Sequence, residues 1–315
     1  MDINQDKENF VAIEATDREW RYSSVTRYMF LHPCSLENDY YEAIYKELQE
    51  WGKNTRDGIS ITEYLGHSKH VIVPNIAHSK RIYMIEKYAF GEKEEIDFNN
   101  PYLPNYTDNI NIEEIIISEG IEALEGICYC PNLRNITLPQ TLKYIGSGGI
   151  NDTAIEKINF PNRIKHIPFW CCANSKKLNS VTLPDNVIGI WSGAFMECIQ
   201  LSSIALPKSL KRIGDEAFLH TGLKYVSIPE GVTRIGDRVF ADCRELRGCV
   251  IPRSVNHIGE DAFSWRTEEI RKGIYPFHQR FDYFNNPNLV LYVYPGSYGL
   301  MWAREHGYPV QNADI

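Results

Sequence analysis

The sequence predicts a repeat solenoid of short parallel strands, and three observations support this fold class. Six prolines recur at intervals of 22 or 23 residues: Pro139, Pro161, Pro184, Pro207, Pro229 and Pro252. Apolar residues occupy the same offsets around each proline, which is typical of units that are too small to bury an apolar face alone and therefore stack. The length of 315 residues exceeds one ordinary compact core, whereas a solenoid grows by adding units.

The first element of each unit is a short strand. In the copy that begins at Leu201, Ile204 and Leu206 alternate with small residues, which is the period-two pattern of a strand with one buried face. Pro207 then ends the pairing because it has no N–H group to donate. Stacked copies of this strand are expected to form a parallel ladder with a spacing of about 4.8 Å.

The second part of each unit is a short extended piece followed by a turn. Residues 210–213 form the extended piece, and Gly214 permits a sharp turn because it lacks a Cβ atom. Ala217 and Phe218 follow on a predicted helical or 3₁₀ turn that directs the ring into the interior. The repeat therefore predicts a single file of buried rings, formed by Phe195, Phe218, Phe240 and Phe263.

These units resemble BspA-like leucine-rich repeats, whose pattern is L-x-x-I-x-I-P-x-x-V-x-x-I-G-x-x-A-F-x-x-C. Residues 201–218 and 223–240 carry this pattern, and Cys243 occupies its cysteine position. The resemblance spans about residues 58–310 and implies a right-handed leucine-rich-repeat coil that ends in a last strand and a capping helix. It also implies a non-catalytic module that binds a protein or peptide, with adhesion or host interaction as roles that would require export.

The chain is predicted to have two parts. Residues 1–57 match no repeat and form an N-terminal extension, whereas residues 58–315 form the repeat domain. The repeat domain divides into regular repeats (115–264), an aromatic insertion (265–288) and a terminal strand with its capping helix (289–315).

The N-terminal extension carries the pattern of an amphipathic helix. Large apolar residues recur in it at helical spacing: Leu36, Tyr40, Tyr41, Ile44, Tyr45, Leu48 and Trp51. Such a helix either covers the open end of the stack, because terminal repeats need a cap, or binds a partner.

The aromatic insertion also has two interpretations. It is crowded with aromatic side chains, among them Trp265, Tyr275, Phe277, Phe281, Tyr283 and Phe284. Aromatic residues on a loop can anchor a partner because they bury much area at a low cost in entropy. They can equally plug the C-terminal end of the core. Tyr275, Phe277, Phe281 and Tyr283 are therefore candidate partner-binding residues.

A second candidate surface is basic. The two positions before the second conserved isoleucine are rich in cations and histidines: Lys143-Tyr144, Lys165-His166, Lys211-Arg212, Thr233-Arg234 and Asn256-His257. The pair Ile188-Gly189 interrupts this series. Stacking would align Lys143, Lys165, Lys211, Arg212 and Arg234 into a stripe that attracts an acidic partner or a polyanion. The alternative is solvated charge between apolar rows.

The outward positions of the first strand are mostly small and polar. One column runs through Asn135, Lys157, Ser180, Ser203, Tyr225 and Gly248, and the other through Thr137, Asn159, Thr182, Ala205, Ser227 and Val250. These columns predict a smooth face without an aromatic cluster.

The eight cysteines are predicted to be buried, reduced thiols rather than disulfides. Cys198 and Cys243 share one position of the repeat, Cys172 replaces its phenylalanine and Cys249 occupies a strand position. Cys198 and Cys243 lie two coils apart, about 9–10 Å from the strand spacing, which is too far for a bridge.

Charge and hydropathy limit the partners and the location. The net charge of −8 argues against general affinity for nucleic acid or anionic membranes. No apolar run approaches the roughly 20 residues of a membrane span. The first residues, Met1 to Glu8, are polar and acidic, unlike a signal peptide. We therefore expect a cytoplasmic protein if Met1 is the natural start, whereas the family resemblance favours the cell surface.

The sequence offers no recognisable catalytic, cofactor or metal site. The stretch 146–152 is glycine-rich but lacks the lysine of a P-loop and follows the repeat register. Cys128-x-Cys130 and Cys171-Cys172 lack the paired spacing of a zinc site. We predict a non-enzyme without cofactor that binds a protein or peptide, or alternatively an intracellular scaffold or regulator. The oligomeric state stays open.

Overall fold

The computed structural model describes residues 19–24, 58–87, 89–93, 106–107, 109–127, 130–266 and 283–314. These residues form two compact units, Met1–Thr153 and Ala154–Ile315. Both units are stacks of coils with short parallel strands, so the predicted solenoid is confirmed.

Unit 1 contains eleven described strands: β1 (Trp20–Ser24), β2 (Ile59–Tyr64), β3 (His70–Val73), β4 (Ile76–Ala77), β5 (Lys80–Ile85), β6 (Glu92–Lys93), β7 (Tyr106–Thr107), β8 (Glu114–Ile117), β9 (Ala123–Leu124), β10 (Asn135–Thr137) and β11 (Tyr144–Ile145). The first strands of successive coils form the parallel sheet β3-β8-β10. The second strands form the parallel series β2-β5-β9-β11. Two short antiparallel pairs, β4-β5 and β6-β7, complete the unit.

The N-terminal end of the unit 1 sheet is covered by a strand that the sequence did not predict. Strand β1 pairs antiparallel with β2. Its Trp20 is buried and packs against Tyr64 and Phe90, with ring centroids 4.7 and 6.1 Å away. Residues 20–24 of the N-terminal extension therefore cover the edge of strand β2. The predicted helix at 36–51 lies outside the described residues.

Unit 2 contains thirteen described strands and one helix: β12 (Lys157–Asn159), β13 (His166–Ile167), β14 (Ser180–Thr182), β15 (Gly189–Ile190), β16 (Arg212–Ile213), β17 (Tyr225–Ser227), β18 (Arg234–Ile235), β19 (Gly248–Val250), β20 (His257–Ile258), β21 (Ser264–Arg266), β22 (Tyr283–Asn285), β23 (Val290–Val293), α1 (Tyr298–Glu305) and β24 (Val310–Asn312). The second strands form a continuous five-stranded parallel sheet, β13-β15-β16-β18-β20.

The first strands of unit 2 form two separate sheets, β12-β14 and β17-β19-β23-β24. The predicted strand at Ile204 and Leu206 is absent, because residues 203–205 have no ladder partner. These two apolar side chains are half-buried, whereas Val226 of β17 and Cys249 of β19 are buried.

The predicted file of phenylalanines forms the spine of unit 2. Phe195, Phe218, Phe240 and Phe263 are fully buried, and each ring lies parallel to the next with 5.5 Å between centroids. In this file Phe263 ends against Trp302 of α1 and Tyr308, which present their rings at steep angles. The hydroxyl of Ser297 caps α1 by accepting from the Leu300 amide. The capping helix is therefore present as predicted.

The turn around each phenylalanine has an unusual backbone. Glu216 and His220, on either side of Phe218, adopt left-handed φ values of 56° and 54°. Such a conformation costs roughly 1–2 kcal/mol for a residue other than glycine. It allows the amides of Glu216, Phe218 and His220 to donate to carbonyls of the next coil at 2.8–3.0 Å. These hydrogen bonds hold the rings in register.

Candidate functional site

The predicted basic positions of unit 2 lie on neighbouring strands. In the five-stranded sheet, His166, Gly189, Arg212, Arg234 and His257 are paired in register. The preceding position in each coil carries Lys165, Ile188 and Lys211. We call Lys165, Ile188, Lys211, Arg212 and Arg234 the basic row.

Lys143 belongs to unit 1 and has a different environment. Its ammonium lies 3.0 Å from the Glu122 carboxylate, and both side chains are half-buried. Glu122 is 21 residues before Lys143 and one coil earlier. Glu122 occupies the position equivalent to Lys143 in the preceding coil. Extending the list of basic positions to that coil would therefore have predicted this ion pair from the sequence. The charge of Lys143 is therefore neutralised.

The centre of the basic row is held by a buried tryptophan. Trp191 occupies the position that is glycine in later coils, and its Nε1 donates to His166 Nδ1 at 3.2 Å. A Cβ atom on Gly189 would lie 3.1 Å from this indole nitrogen, so the glycine leaves room for the ring. The Arg212 guanidinium lies over the ring, 4.7 Å from its centroid. Positions 189 and 191 both differ from the later coils, which have a basic residue or histidine and a glycine there. These two differences were the sequence signal for the contacts of Trp191 with His166 and Arg212.

The charges of the basic row are only partly balanced. Among the described residues, Lys211 and Arg234 form no ion pair and no side-chain hydrogen bond. Ile188, between Lys165 and Lys211, is 39% exposed. This part of unit 2 thus presents positive charge around one exposed apolar side chain.

The first-strand sheet, which was predicted to be smooth, carries two tyrosines that flank one glycine. Tyr225 of β17 is 63% exposed and points outward beside Gly248 of β19. A Cβ atom on Gly248 would lie 2.7 Å from Tyr225 Cε1 and 3.0 Å from Tyr292 Cε2. The two rings therefore share the space above this glycine. The prediction of a smooth face was wrong, because β23 joins the sheet after the insertion and brings Tyr292 with it.

A third tyrosine, Tyr294, directly follows β23. The Arg253 guanidinium lies over the Tyr294 ring, 4.5 Å from its centroid, and forms an ion pair with Asp314 at 3.1 Å. We call Tyr225, Gly248, Tyr292 and Tyr294 the tyrosine face.

The aromatic insertion is described at its edges. Strands β21 and β22 form an antiparallel pair in which Trp265 and Phe284 lie opposite each other, with ring centroids 6.0 Å apart. The Arg244 guanidinium lies 5.3 Å from the Trp265 ring centroid. Tyr275, Phe277 and Phe281 and the side chain of Tyr283 lie outside the described residues. Plug and recognition loop both stay predictions.

The cysteines of the described ranges are packed in the core, as expected. Six are buried and free: Cys130, Cys171, Cys172, Cys198, Cys243 and Cys249. Burial raises the pKa of Cys243 to about 11 and the pKa of Cys198 well above its usual range. The thiolate is the form that acts as a nucleophile or a metal ligand. Because Cys198 and Cys243 stay protonated near neutral pH, they are poorly suited to either role.

Within the described ranges, no group of three or more His, Cys, Asp or Glu side chains is arranged to hold a metal ion. None of the helical structure in the same ranges has the length and apolar character of a membrane span.

Comparison with known families agrees with this architecture. The family described as BspA type leucine rich repeat region matches six copies, over residues 68–179 and 165–280. The chain belongs to this family. Leucine-rich repeats of this kind typically mediate protein interactions and are generally non-catalytic. No curated protein matches the chain.

Several solved structures are similar to the chain at low sequence identity. A leucine-rich repeat protein from Bacteroides ovatus is 20% identical, covers 66% of this chain and 76% of its own, and gives a TM-score of 0.40. The T. pallidum leucine-rich repeat protein is 19% identical, with coverages of 78% and 82% and a TM-score of 0.31. The pneumococcal vaccine antigen PcpA is 16% identical, with coverages of 78% and 75% and a TM-score of 0.37.

Proposed function

We propose that this chain is a non-catalytic module that binds a protein partner through the tyrosine face. The observation that carries the proposal is the exposed ring of Tyr225, which stands on a paired strand beside Tyr292. Tyrosine and arginine are enriched among the residues that dominate binding energy. A tyrosine on a strand loses little entropy on binding because only two side-chain torsions are fixed.

The energetic case rests on burial of the Tyr225 ring. An aromatic side chain contributes roughly 2–3 kcal/mol when it moves from water into an interface. The arrangement is prepared in the free protein, because Gly248 lets both rings approach the backbone. A partner therefore meets a surface that needs little rearrangement, which favours affinity.

Two biological settings suit such a module. Adhesion or host interaction would require export, whereas an intracellular scaffold or regulator would not. Fractionation of the producing cells separates them: protein at the surface or in the medium supports adhesion, and protein retained in the cell supports the scaffold.

Site-specific photo-crosslinking in the producing cells tests the proposal. The photoreactive residue p-benzoylphenylalanine replaces Tyr225 in one variant and Thr182 in a control, since Thr182 is an exposed outward residue of β14. We expect a discrete protein adduct from position 225 that Gly248→Ala weakens, because the added Cβ displaces both rings. Equal labelling from both positions, or no adduct at 225, would contradict the proposal.

A further inference from the structure

We infer that the basic row of unit 2 binds an acidic protein segment that places an apolar side chain over Ile188 and carboxylates beside Lys211 and Arg234. This rests on the proposed protein-binding function and names the partner's chemistry at a second surface. The row lies on the second-strand sheet, whereas the tyrosine face lies on the first-strand sheet.

The first argument is uncompensated charge. Arg212 and Arg234 are directly opposite each other on β16 and β18, and Lys211 precedes Arg212. Like charges directly opposite each other on paired strands destabilise a sheet. Lys211 and Arg234 have no ion pair among the described residues, unlike Lys143 with Glu122. Carboxylates of a bound segment would remove this repulsion.

The second argument is preorganisation. The Arg212 guanidinium is fixed over the Trp191 ring, which is itself buried and hydrogen-bonded to His166. A guanidinium held by stacking stays in place while a partner binds at the neighbouring Lys211 and Arg234. The Arg212 guanidinium is therefore already oriented before a partner binds to the basic row.

The third argument separates a protein segment from a polyanion. The series of cations is interrupted at its centre by Ile188, whose amide donates to Lys165 and whose carbonyl accepts from Lys211 at 2.8 and 2.9 Å. This exposed side chain offers apolar area that a leucine or phenylalanine of a protein segment can bury, whereas a sulfated glycan presents mainly sulfate and hydroxyl groups.

Short synthetic peptides test this inference on the full chain. One fluorescent peptide consists of glutamate and serine with a single central leucine, and its partner replaces the leucine with serine. Fluorescence polarisation at low salt is expected to show tighter binding of the leucine peptide, and both affinities should fall as salt is added. A heparin fragment serves as the polyanion probe.

Variants assign the binding to the row. Lys211→Gln with Arg234→Gln removes charge without introducing a buried group, and we expect roughly a tenfold loss of affinity for the leucine peptide. Ile188→Lys completes the series of cations, so it should abolish the preference for leucine and strengthen heparin binding. Lys157→Glu is the matched control, because Lys157 is an exposed lysine of β12 on the other sheet.

Three outcomes would overturn the inference. Heparin binding without a preference for the leucine peptide would identify a polyanion site. Peptide binding that survives the double glutamine variant would show that the row is solvated charge. Absence of measurable peptide binding at low salt would also count against it. Crosslinking at Tyr225 reports on the other sheet, so failure here leaves the proposed function standing.

Discussion

Equivalent positions of the repeat carry different chemistry in the two units. Strands β16, β18 and β20 of unit 2 are followed by Gly214, Gly236 and Gly259, and β11 of unit 1 by Gly146, whereas β5 and β9 of unit 1 are followed by Glu86 and Glu125. The backbone pattern is the same, because each of these amides donates to the preceding coil at 2.8–3.2 Å. The repeat thus specifies the main-chain hydrogen bond after the second strand. The residue at this position can be a glycine or a glutamate whose carboxyl group is buried, as at Glu125.

The ring position shows the same contrast. Four coils of unit 2 fill it with stacked phenylalanines and one with Cys172, whereas Ile127 and Ile150 fill it in two coils of unit 1 and are equally buried. The fold accepts both, but the stabilisation differs. Parallel rings at 5.5 Å add roughly 0.5–1.5 kcal/mol per pair beyond the burial of area.

The largest expected effect is therefore on the phenylalanine file. Phe218→Ala should lower the free energy of unfolding by about 3–5 kcal/mol, because it removes a buried ring that stacks on Phe195 and Phe240. Ile150→Ala, the control in unit 1, should cost about 2–5 kcal/mol, because it removes an equally buried side chain without ring stacking. Urea unfolding followed by circular dichroism measures both. Equal losses would show that the file gives unit 2 no special stability.

The buried carboxyl of unit 1 gives the next largest effect. Burial, with a further contribution from the negative charge of Glu86, raises the pKa of Glu125 from 4.5 to about 7. The Glu86 carboxylate itself accepts a hydrogen bond from the Ser60 hydroxyl at 2.5 Å. The folded chain holds the Glu125 proton more tightly than the unfolded chain. Protonated Glu125 therefore makes its full contribution to the free energy of unfolding below pH 4.5, and this contribution is lost as the pH rises through about 7.

Glu125→Gln should remove this pH dependence. The shift corresponds to roughly 3 kcal/mol, at about 1.4 kcal/mol per pKa unit, so the variant should exceed the wild type in stability at pH 8 and match it at pH 4. Urea unfolding at both values measures the difference. Glu156→Gln is the control, because Glu156 is exposed. A variant that is no more stable than the wild type at pH 8 would argue against a buried, destabilised carboxylate.

The periodic part of the fold was predictable because stacking repeats the same physical requirement in every coil. Phe195, Phe218, Phe240 and Phe263 were placed correctly, since burial of each ring depends only on its neighbours. Strand β1 was missed because Trp20 lies outside the repeat and pairs antiparallel with β2. A terminal segment can pair with the free edge of a sheet without following the repeat, so no periodic pattern predicts it.

The candidate surfaces were less predictable for a related reason. The register of Arg212 and Arg234 followed from the 22-residue spacing. The approach of Tyr292 to Gly248 did not, because the insertion separates β23 from the regular series and hides its register. The stacking of Arg212 on Trp191 depends on side-chain conformation, which the repeat does not specify.

The smallest expected effect compares two lysines at equivalent positions. Lys143→Met in unit 1 breaks the ion pair with Glu122 and should lower the free energy of unfolding by about 0.5–1 kcal/mol. Lys211→Met in unit 2 breaks no ion pair and relieves repulsion with Arg212, so stability should be unchanged or rise by a few tenths of a kcal/mol.

Salt sharpens this comparison. Screening weakens attraction and repulsion alike, so added salt should reduce the loss caused by Lys143→Met and the gain caused by Lys211→Met. Thermal unfolding at low and high salt measures both changes. Two lysines that behaved identically would mean that the charges of the basic row are compensated in the free protein. A loss of stability for Lys143→Met together with a gain for Lys211→Met would instead show that Lys211 does not stabilise the fold of unit 2. Such a charge is expected on a surface that binds a partner.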